Sequence, residues 1–129
     1  HVSKESILIA KKCIPDLYAI TDAISACGLS NGDYKFAGVD ITKNDNKVVI
    51  KESSTLAGSI VNMHETFLNL LKINISLEDA VKMTSFSAAK YLNENTIGYL
   101  KEGNRSNFLV LDKDLNIEKI FLNGNLINE

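Results

Sequence analysis

The sequence has no long hydrophobic run and no excess of charge of one sign. No apolar stretch approaches the ~18 residues that a helix needs to span a bilayer. The fourteen Lys and Arg residues are spread along the chain, and the formal net charge is −2. Such a charge distribution attracts neither an anionic membrane surface nor nucleic acid. We therefore expect a protein that binds neither membranes nor nucleic acids.

Cysteine is also scarce, with Cys13 and Cys27 as the two examples. The pair is able to form one disulfide, but we expect both thiols to be reduced. No charged and then apolar leader precedes the first predicted helix, which gives no support for secretion. These observations together predict a cytoplasmic protein.

The chain has 129 residues, of which 45% are hydrophobic and 23% are charged. This length and composition are typical of one modest globular domain and argue against disorder. Because the first residue is His1 rather than Met, we expect the chain to be a piece of a longer protein.

Hydrophobic periodicity predicts an α/β arrangement followed by a small antiparallel β unit. Ser3 is a good N-cap for a helix over residues 4–13, and residues 17–21 are apolar on both faces, as in a parallel strand. Ser76 and Asp79 resemble a capping box, and Asn123-Gly124 predicts a hairpin turn. The other predicted strands are 34–37, 39–42, 47–50, 108–111, 117–122 and 125–127, the other helices are 60–72, 77–84 and 88–92, and residues 51–59 form a loop.

Asp22 directly follows the predicted strand at residues 17–21, and the small residues after it leave room for a ligand. In parallel α/β folds, functional side chains gather where the strands end. Alternatively, Asp22 only caps the following turn. The loop at residues 54–59 has two similar interpretations. Its backbone N–H groups either face a polar ligand, or Ser59 is the N-cap of the next helix.

Seven short motifs follow one another along the chain. They are TDA (21–23), Tyr34-x-Phe36-x-Gly38, TLAGS (55–59), SLEDAVKMTS (76–85), IGYLKEG (97–103), NFLVLD (107–112) and NGN (123–125). In this order they resemble the C-terminal third of N-acetylglucosamine-6-phosphate deacetylases, which belong to the amidohydrolase superfamily. The resemblance extends over nearly the whole chain, and TDA followed by TLAGS is its most specific part.

The resemblance implies the fold class and the domain organisation. It implies an α/β chain that is the C-terminal portion of an eight-stranded β/α (TIM) barrel, together with the C-terminal strands of a small β-sandwich. Residues 1–99 then belong to the barrel, including a β insert at residues 34–50, and residues 100–129 belong to the sandwich. A complete barrel needs about 250 residues, so the resemblance implies a fragment.

The resemblance also implies a set of functional residues. Asp22 matches the catalytic aspartate, while His1, Leu56, Ala57 and Gly58 match positions that contact a phosphorylated amino-sugar substrate. The family uses a divalent metal ion, zinc or similar, which a Glu and two His on earlier barrel strands hold. No metal ligand is therefore expected within this chain. The complete enzyme is expected to be a homodimer.

Three further expectations complete the sequence-based interpretation. His64 lies beside the apolar stripe of the predicted helix at residues 60–72, so we expect a packing role. The chain alone should be inactive as a deacetylase, and its exposed apolar area and open strand edges should make it associate. Two alternative interpretations stay open: another amidohydrolase of the cyclic amidase or dipeptidase type, or a non-catalytic structural or interaction fragment.

Overall fold

The computed structural model describes residues 2–127, which form two small antiparallel sheets and several helices in a mixed α/β arrangement. The helical segments are α1 (Lys4–Cys13), α2 (Met63–Lys72), α3 (Leu77–Val81), a π-helical turn (Lys82–Phe86) and α4 (Ser87–Tyr91). The strands are β1 (Gly32–Phe36), β2 (Val39–Asn44), β3 (Lys47–Ile50), β4 (Leu56–Gly58), β5 (Phe108–Leu111), β6 (Ile117–Leu122) and β7 (Asn125–Ile127). Across residues 2–127, the helices are all too short or too polar to cross a membrane.

The first sheet is a meander in the order β1-β2-β3-β4, and its neighbouring strands are antiparallel. Burial along β2 and β3 places Ile41 and Val48 on the inner face, where they form a core cluster with Ala26. Full burial of an Ile or Val side chain contributes roughly 1.5–3 kcal/mol. Ile24 and Ala57 pack against the same cluster. The segment that follows Asp22 therefore lies against the inner face of this sheet.

The strands of this sheet follow the predictions with two differences. β3 has the predicted bounds. β1 begins two residues earlier than predicted and ends one residue earlier, and β2 ends two residues later than predicted. The loop predicted for residues 51–59 is wrong in part, because β4 forms within it and pairs with β3. The pairing is irregular between Val48 and Val49, so no simple alternation over three residues could reveal the strand.

Capping side chains determine where the helices begin. The Ser3 hydroxyl oxygen accepts a hydrogen bond from the Ser6 N–H at 3.2 Å, which confirms the predicted start of α1. The start of α2 lies three residues later than predicted. There the Glu65 N–H donates to the Asn62 side chain at 2.8 Å, and the Asn62 N–H donates to the Glu65 carboxylate at 2.9 Å. This capping box makes Asn62 the N-cap, so the alternative role of Ser59 as N-cap is wrong.

One helical run covers residues 77–91, where two separate helices were predicted. The Ser76 hydroxyl oxygen accepts from the Asp79 N–H at 3.2 Å, which is one half of the predicted capping box. The Asp79 carboxylate does not complete the box, because it accepts from the Ser76 hydroxyl at 2.8 Å and pairs with Lys11. The π-helical turn then joins α3 to α4 without a break. Within this turn the Met83 carbonyl accepts a hydrogen bond from the Ala19 N–H at 2.8 Å. The widened turn thus connects the helical run to the segment that leads to Asp22.

Residues 17–21 do not form the predicted strand. Leu17 and Ala19 pack against a second core cluster made by Phe67, Leu70, Ile75, Ala80 and Met83. A parallel strand exists only through hydrogen bonds to strands beside it, and the described part of the chain places no strand next to this segment. Leu17, Tyr18, Ala19 and Thr21 are half-buried and Ile20 is exposed, so the prediction of a strand covered on both faces is wrong for this chain.

The second sheet contains β5, β6 and β7 in sequence order, all with the predicted bounds. Asn123 and Gly124 both have positive φ angles, of 49° and 80°, which confirms the predicted hairpin turn. The Phe108 and Phe121 rings stack across β5 and β6 with centroids 4.5 Å apart. These local signals were sufficient to predict this sheet.

Candidate functional site

Asp22 lies at a sharp change of chain direction between residues 17–21 and a turn at residues 25–28. Its φ angle of 50° is in the left-handed region, where Asp is among the better tolerated residues. The Thr21 hydroxyl oxygen, rather than the Asp22 carboxylate, accepts the hydrogen bond from the Ala23 N–H, at 3.3 Å. Among residues 2–127, no hydrogen bond or ion pair engages the exposed Asp22 carboxylate. The turn-capping alternative for Asp22 is therefore not what the structure shows.

A parallel bridge brings the Asp22 segment beside the end of β4. Ala23 pairs with Ser59, and the Ile24 N–H donates to the Ser59 carbonyl at 2.9 Å. Because Ser59 directly follows Leu56–Gly58, two of the motifs that carry the resemblance lie on adjacent backbone segments. We call the contact between residues 23–27 and residues 57–61 the seam.

Gly58 has no side chain at the point where the two segments approach most closely. A Cβ atom built on Gly58 would lie 2.4 Å from Cγ2 of Ile24. This distance is well below any that real Cβ atoms adopt, so the seam in its present form requires glycine here. The φ angle of Gly58 lies outside the left-handed region, so the requirement comes from space alone.

A hydrogen bond closes the seam beyond Ile24. The Cys27 thiol donates to the Ile60 carbonyl oxygen, with Sγ and O 3.1 Å apart. Ala26 has 1% of its surface exposed and belongs to the first core cluster. Cys27 is a free thiol, as is the exposed Cys13. The hydrogen bond gives Cys27 a structural part in the seam that the sequence did not reveal.

The predicted substrate-contacting residues differ in their exposure. Leu56 has 55% of its surface exposed, whereas Ala57 and Gly58 are half-buried. Leu56 pairs with Val49 and Gly58 with Val48, so β3 determines the position of all three. Leu56 is thus free to contact a ligand through its side chain, and Ala57 mainly supports the core. The fourth predicted residue, His1, lies outside the described residues.

An ion pair supports the turn that leads into β4. The Lys51 ammonium contacts the Asp33 carboxylate, which also accepts a hydrogen bond from the Thr42 hydroxyl at 2.7 Å. The hydrogen bonds from Lys51 and from Thr42 lower the pKa of Asp33, and the hydrogen bond to Asp33 raises the pKa of Lys51. These three residues lie far apart in the sequence, so their contact could not be read from spacing.

The described residues do not provide a metal site. In the range 2–127, no three His, Cys, Asp or Glu residues cluster closely enough to hold a metal ion. His64 places its Nε2 atom 2.7 Å from the Leu115 carbonyl oxygen, and its ring lies nearly parallel to Phe67. It connects α2 to the turn before β6, which confirms a packing role for His64.

A large cavity lies away from Asp22. It has a volume of about 1050 Å³ and lies between α2, the helical run at residues 77–91 and strands β5 and β6. Its lining is mainly apolar and includes Phe67, Phe86, Tyr99, Phe108 and Phe121. Neither Asp22 nor Leu56–Gly58 contributes to it. We therefore take the seam, and not this cavity, as the candidate functional site.

Comparisons with known proteins identify the family of the chain. Residues 8–127 match the amidohydrolase family. N-acetylglucosamine-6-phosphate deacetylase from Rattus norvegicus is 30% identical over 130 residues, which is 98% of this chain and 32% of the rat protein. A protein of Escherichia coli strain K12, provisionally named an N-acetylgalactosamine-6-phosphate deacetylase, is 28% identical over 98% of this chain and 77% of its own length.

A solved structure matches the whole chain. The crystal structure of N-acetylglucosamine-6-phosphate deacetylase from Pasteurella multocida has a TM-score of 0.90 at 26% identity, covering 100% of this chain and 35% of the solved chain. The chain therefore spans about a third of the length of the rat and Pasteurella enzymes, and about three quarters of the E. coli K12 protein. Since the family match extends over nearly all of its length, the chain belongs to the amidohydrolase family.

Proposed function

We propose that this chain is the C-terminal portion of a metal-dependent hydrolase that converts N-acetylglucosamine 6-phosphate to glucosamine 6-phosphate and acetate. In this proposal residues 1–99 contribute to a β/α barrel, with residues 34–50 as a β insert, and residues 100–129 contribute to a β-sandwich. The complete enzyme is a cytoplasmic homodimer of amino-sugar catabolism. The family match and the named relatives support the reaction class and the substrate.

The observation that carries the proposal is the seam. The bridge between Ala23 and Ser59 places the catalytic candidate, Asp22, next to the substrate-contacting candidates, Leu56–Gly58. A carboxylate that is to act on a bound substrate must be within reach of that substrate, which an exposed side chain without other partners allows. The Asp22 carboxylate is exposed and has no hydrogen-bond or ion-pair partner within residues 2–127.

Amide hydrolysis requires a proton to leave the attacking water and a proton to reach the departing nitrogen. We assign both transfers to Asp22. Its carboxylate accepts the proton as water attacks the acetyl carbonyl, and the resulting acid donates that proton to the amide nitrogen as the C–N bond breaks. Asp22 must therefore be ionised when the substrate binds.

The metal ion has to be held from outside the described residues, because these residues do not fit one. We accordingly assign no step on a metal to this chain, and we propose that the chain alone is inactive. Leu56 contributes an apolar contact to the sugar, and the backbone at Ala57 and Gly58 contributes polar contacts. His1 is a further substrate-contacting candidate, proposed from the resemblance alone.

The test uses the longer polypeptide that contains this chain and replaces Asp22 by Asn, which also tolerates the left-handed backbone region. Loss of the proton acceptor should lower kcat by about 10²–10⁴-fold, while KM and bound metal stay near their original values. Asp40→Asn is the matched control, because Asp40 is exposed and pairs only at 3.8 Å with Lys35. A variant Asp22→Asn with unchanged kcat would refute the assigned role.

A second candidate substrate is the galactosamine epimer, which the name of the E. coli relative favours. A panel of both N-acetylhexosamine 6-phosphates, a cyclic amide and a dipeptide separates the possibilities. We expect the highest kcat/KM with N-acetylglucosamine 6-phosphate. Turnover of the cyclic amide or the dipeptide, without turnover of either phosphosugar, would favour a different branch of the family.

A further inference from the structure

The π-helical turn at Lys82–Phe86 changes which backbone groups pair within the helical run. The Ser87 N–H donates to the Lys82 carbonyl, five residues earlier. In a regular α-helix the same N–H would donate to the Met83 carbonyl, four residues earlier. The Met83 carbonyl accepts from the Ala19 N–H at 2.8 Å. The widened turn therefore releases the acceptor that the segment before Asp22 uses, and turns of this kind occur frequently at functional sites.

Contacts on two sides support the widened turn. The Thr84 hydroxyl donates to the Ala80 carbonyl at 2.8 Å, and hydroxyl bonds of this type favour local departures from regular helix. On the other side, a Cβ atom built on Gly98 would lie 3.0 Å from Cα of Phe86, so the loop after the helical run packs directly on the backbone of the turn. Met83 itself is buried in the second core cluster. The position of its carbonyl is therefore well defined.

A second contact between the helical run and the segment before Asp22 involves exposed side chains. The Lys90 ammonium lies 2.8 Å from the Asp16 carboxylate, and both side chains are more than half exposed. Exposed ion pairs hold their partners weakly. The bond at Ala19 joins two backbone groups beside the second core cluster, and it lies only three residues before Asp22. It is therefore a stronger constraint on the chain before Asp22 than the ion pair.

We propose that in the complete enzyme the π-helical turn positions Asp22, because the Met83 carbonyl that it releases anchors Ala19. The inference rests on the proposed function, in which the Asp22 carboxylate transfers protons. Met83 acts through its backbone and through Ala19, so it is a positioning residue. The seam holds the chain from Ala23 onwards, and the bond at Ala19 holds it on the other side of Asp22.

The first test removes the Ala19 N–H with little other change. In the longer polypeptide that contains this chain, Ala19→lactic acid, introduced by nonsense suppression, replaces the amide by an ester of similar shape that has no N–H. A displacement of about 1 Å costs about 10²-fold in rate, so we expect kcat to fall by at least about tenfold while KM changes by less than about threefold. A bond with only a structural role would lower the Tm and leave kcat unchanged.

The second test removes the widening itself. Deletion of Ser85 takes one residue out of the π-helical turn, so we expect a regular α-helix in which the Ala88 N–H donates to the Met83 carbonyl. Ala19 then loses its acceptor, and kcat should fall as it does with the ester. Because both changes remove the same hydrogen bond, their combination should lower kcat no further than either change alone. Ser85→Ala controls for loss of this exposed side chain and should leave kcat unchanged.

The control for the ester is Ala37→lactic acid, which makes the same chemical change in the exposed turn between β1 and β2. It should leave kcat unchanged. A kcat for the Ala19 ester within about threefold of the parent value would overturn the proposal, whether or not the deletion variant folds. So would multiplying effects of the ester and the deletion, since the two changes would then act through different contacts.

Hydrogen exchange of the backbone amides at residues 20–23 gives a readout that does not need activity. Loss of the bond at Ala19 should speed this exchange by about tenfold, and unchanged exchange would overturn the proposal. A parent polypeptide that hydrolyses neither N-acetylhexosamine 6-phosphate would refute the proposed function. The exchange measurement would then still decide whether the π-helical turn holds the chain at Asp22.

Discussion

Adding a single methyl group at Gly58 should disrupt the seam beside Asp22. The new Cβ atom would lie 2.4 Å from Cγ2 of Ile24, about 1 Å short of the 3.4 Å at which ordinary contacts begin, and 3.5 Å from Cβ and Cδ1 of the same residue. Cγ2 is bonded directly to the Cβ of a branched side chain, so rotation of a flexible end cannot remove the overlap. Either the Ile24 rotamer or the backbone at the bridge must move.

Overpacking of this kind destabilises proteins by about 1–3 kcal/mol, and we expect Gly58→Ala to fall in this range. Ile24→Ala removes Cγ2 and Cδ1 of Ile24 and leaves its Cβ, which at 3.5 Å from the new Cβ atom is at an ordinary contact distance. In the background of Ile24→Ala, Gly58→Ala should therefore cost less than about 0.5 kcal/mol, although Ile24→Ala itself is destabilising. The coupling free energy between the two sites should be about 1–2 kcal/mol.

The measurement is the urea dependence of far-UV circular dichroism for the four proteins of this double-mutant cycle. If the unfolding free energy depends equally steeply on urea concentration in all four proteins, the differences between their urea midpoints report differences in stability. Gly38→Ala serves as a control for backbone effects. Gly38 has a φ angle of 82° with nothing within 4 Å of a built Cβ, so its cost should not depend on Ile24. If Gly58→Ala is neutral, or costs the same with and without Ile24, the steric explanation of the seam is wrong.

Two further substitutions test contacts around the second sheet. His64→Leu removes the 2.7 Å contact with the Leu115 carbonyl, and we expect a loss of about 1 kcal/mol in urea unfolding; an unchanged midpoint would contradict this. The pKa of Asp112 is lowered by hydrogen bonds from the Asn116 side chain and backbone and from the Asp114 N–H. This contribution is present above the ordinary pKa of 3.8 and is lost as the pH falls through the folded-state value. Asp112→Asn should therefore lower the urea midpoint at pH 6 and have little effect near pH 2, and a pH-independent difference would refute the assignment.

Elements with local start and stop signals were predicted well. The bounds of α1, β3 and the three strands of the second sheet agree with the structure. In each case a cap or a turn residue lies next to the hydrophobic pattern: Ser3 for α1, the turn after Asn44 for β3, and Asn123-Gly124 for the last hairpin. Such signals act over a few residues, so the surrounding fold hardly changes them.

Elements that depend on distant residues were predicted less well. The capping box at Asn62 and Glu65 carries a sequence signal that the helix prediction missed, because the hydrophobic stripe begins earlier. The π-helical turn at Lys82–Phe86 and the β4 strand have no comparable signal. The turn accepts a hydrogen bond from Ala19, which is far away in the sequence, and β4 has only three residues and pairs irregularly with β3. The same holds for the ion pair between Asp33 and Lys51.

The chain around Asp22 is held by contacts on one side and depends on distant residues on the other, and this affects how Asp22 is positioned. On its C-terminal side, the bridge at Ser59 and the packing of Ile24 on Gly58 hold the chain within the described residues. On its N-terminal side, residues 17–21 have one backbone hydrogen bond to the helical run, at Ala19, and no strand of residues 2–127 lies beside them. A residue held from one side retains backbone freedom on the other, and catalysis by a carboxylate requires placement to within a fraction of an ångström. In the proposed enzyme the seam therefore brings Asp22 near the candidate substrate-contacting residues, and we expect its carboxylate to take a single position only where further strands lie beside residues 17–21.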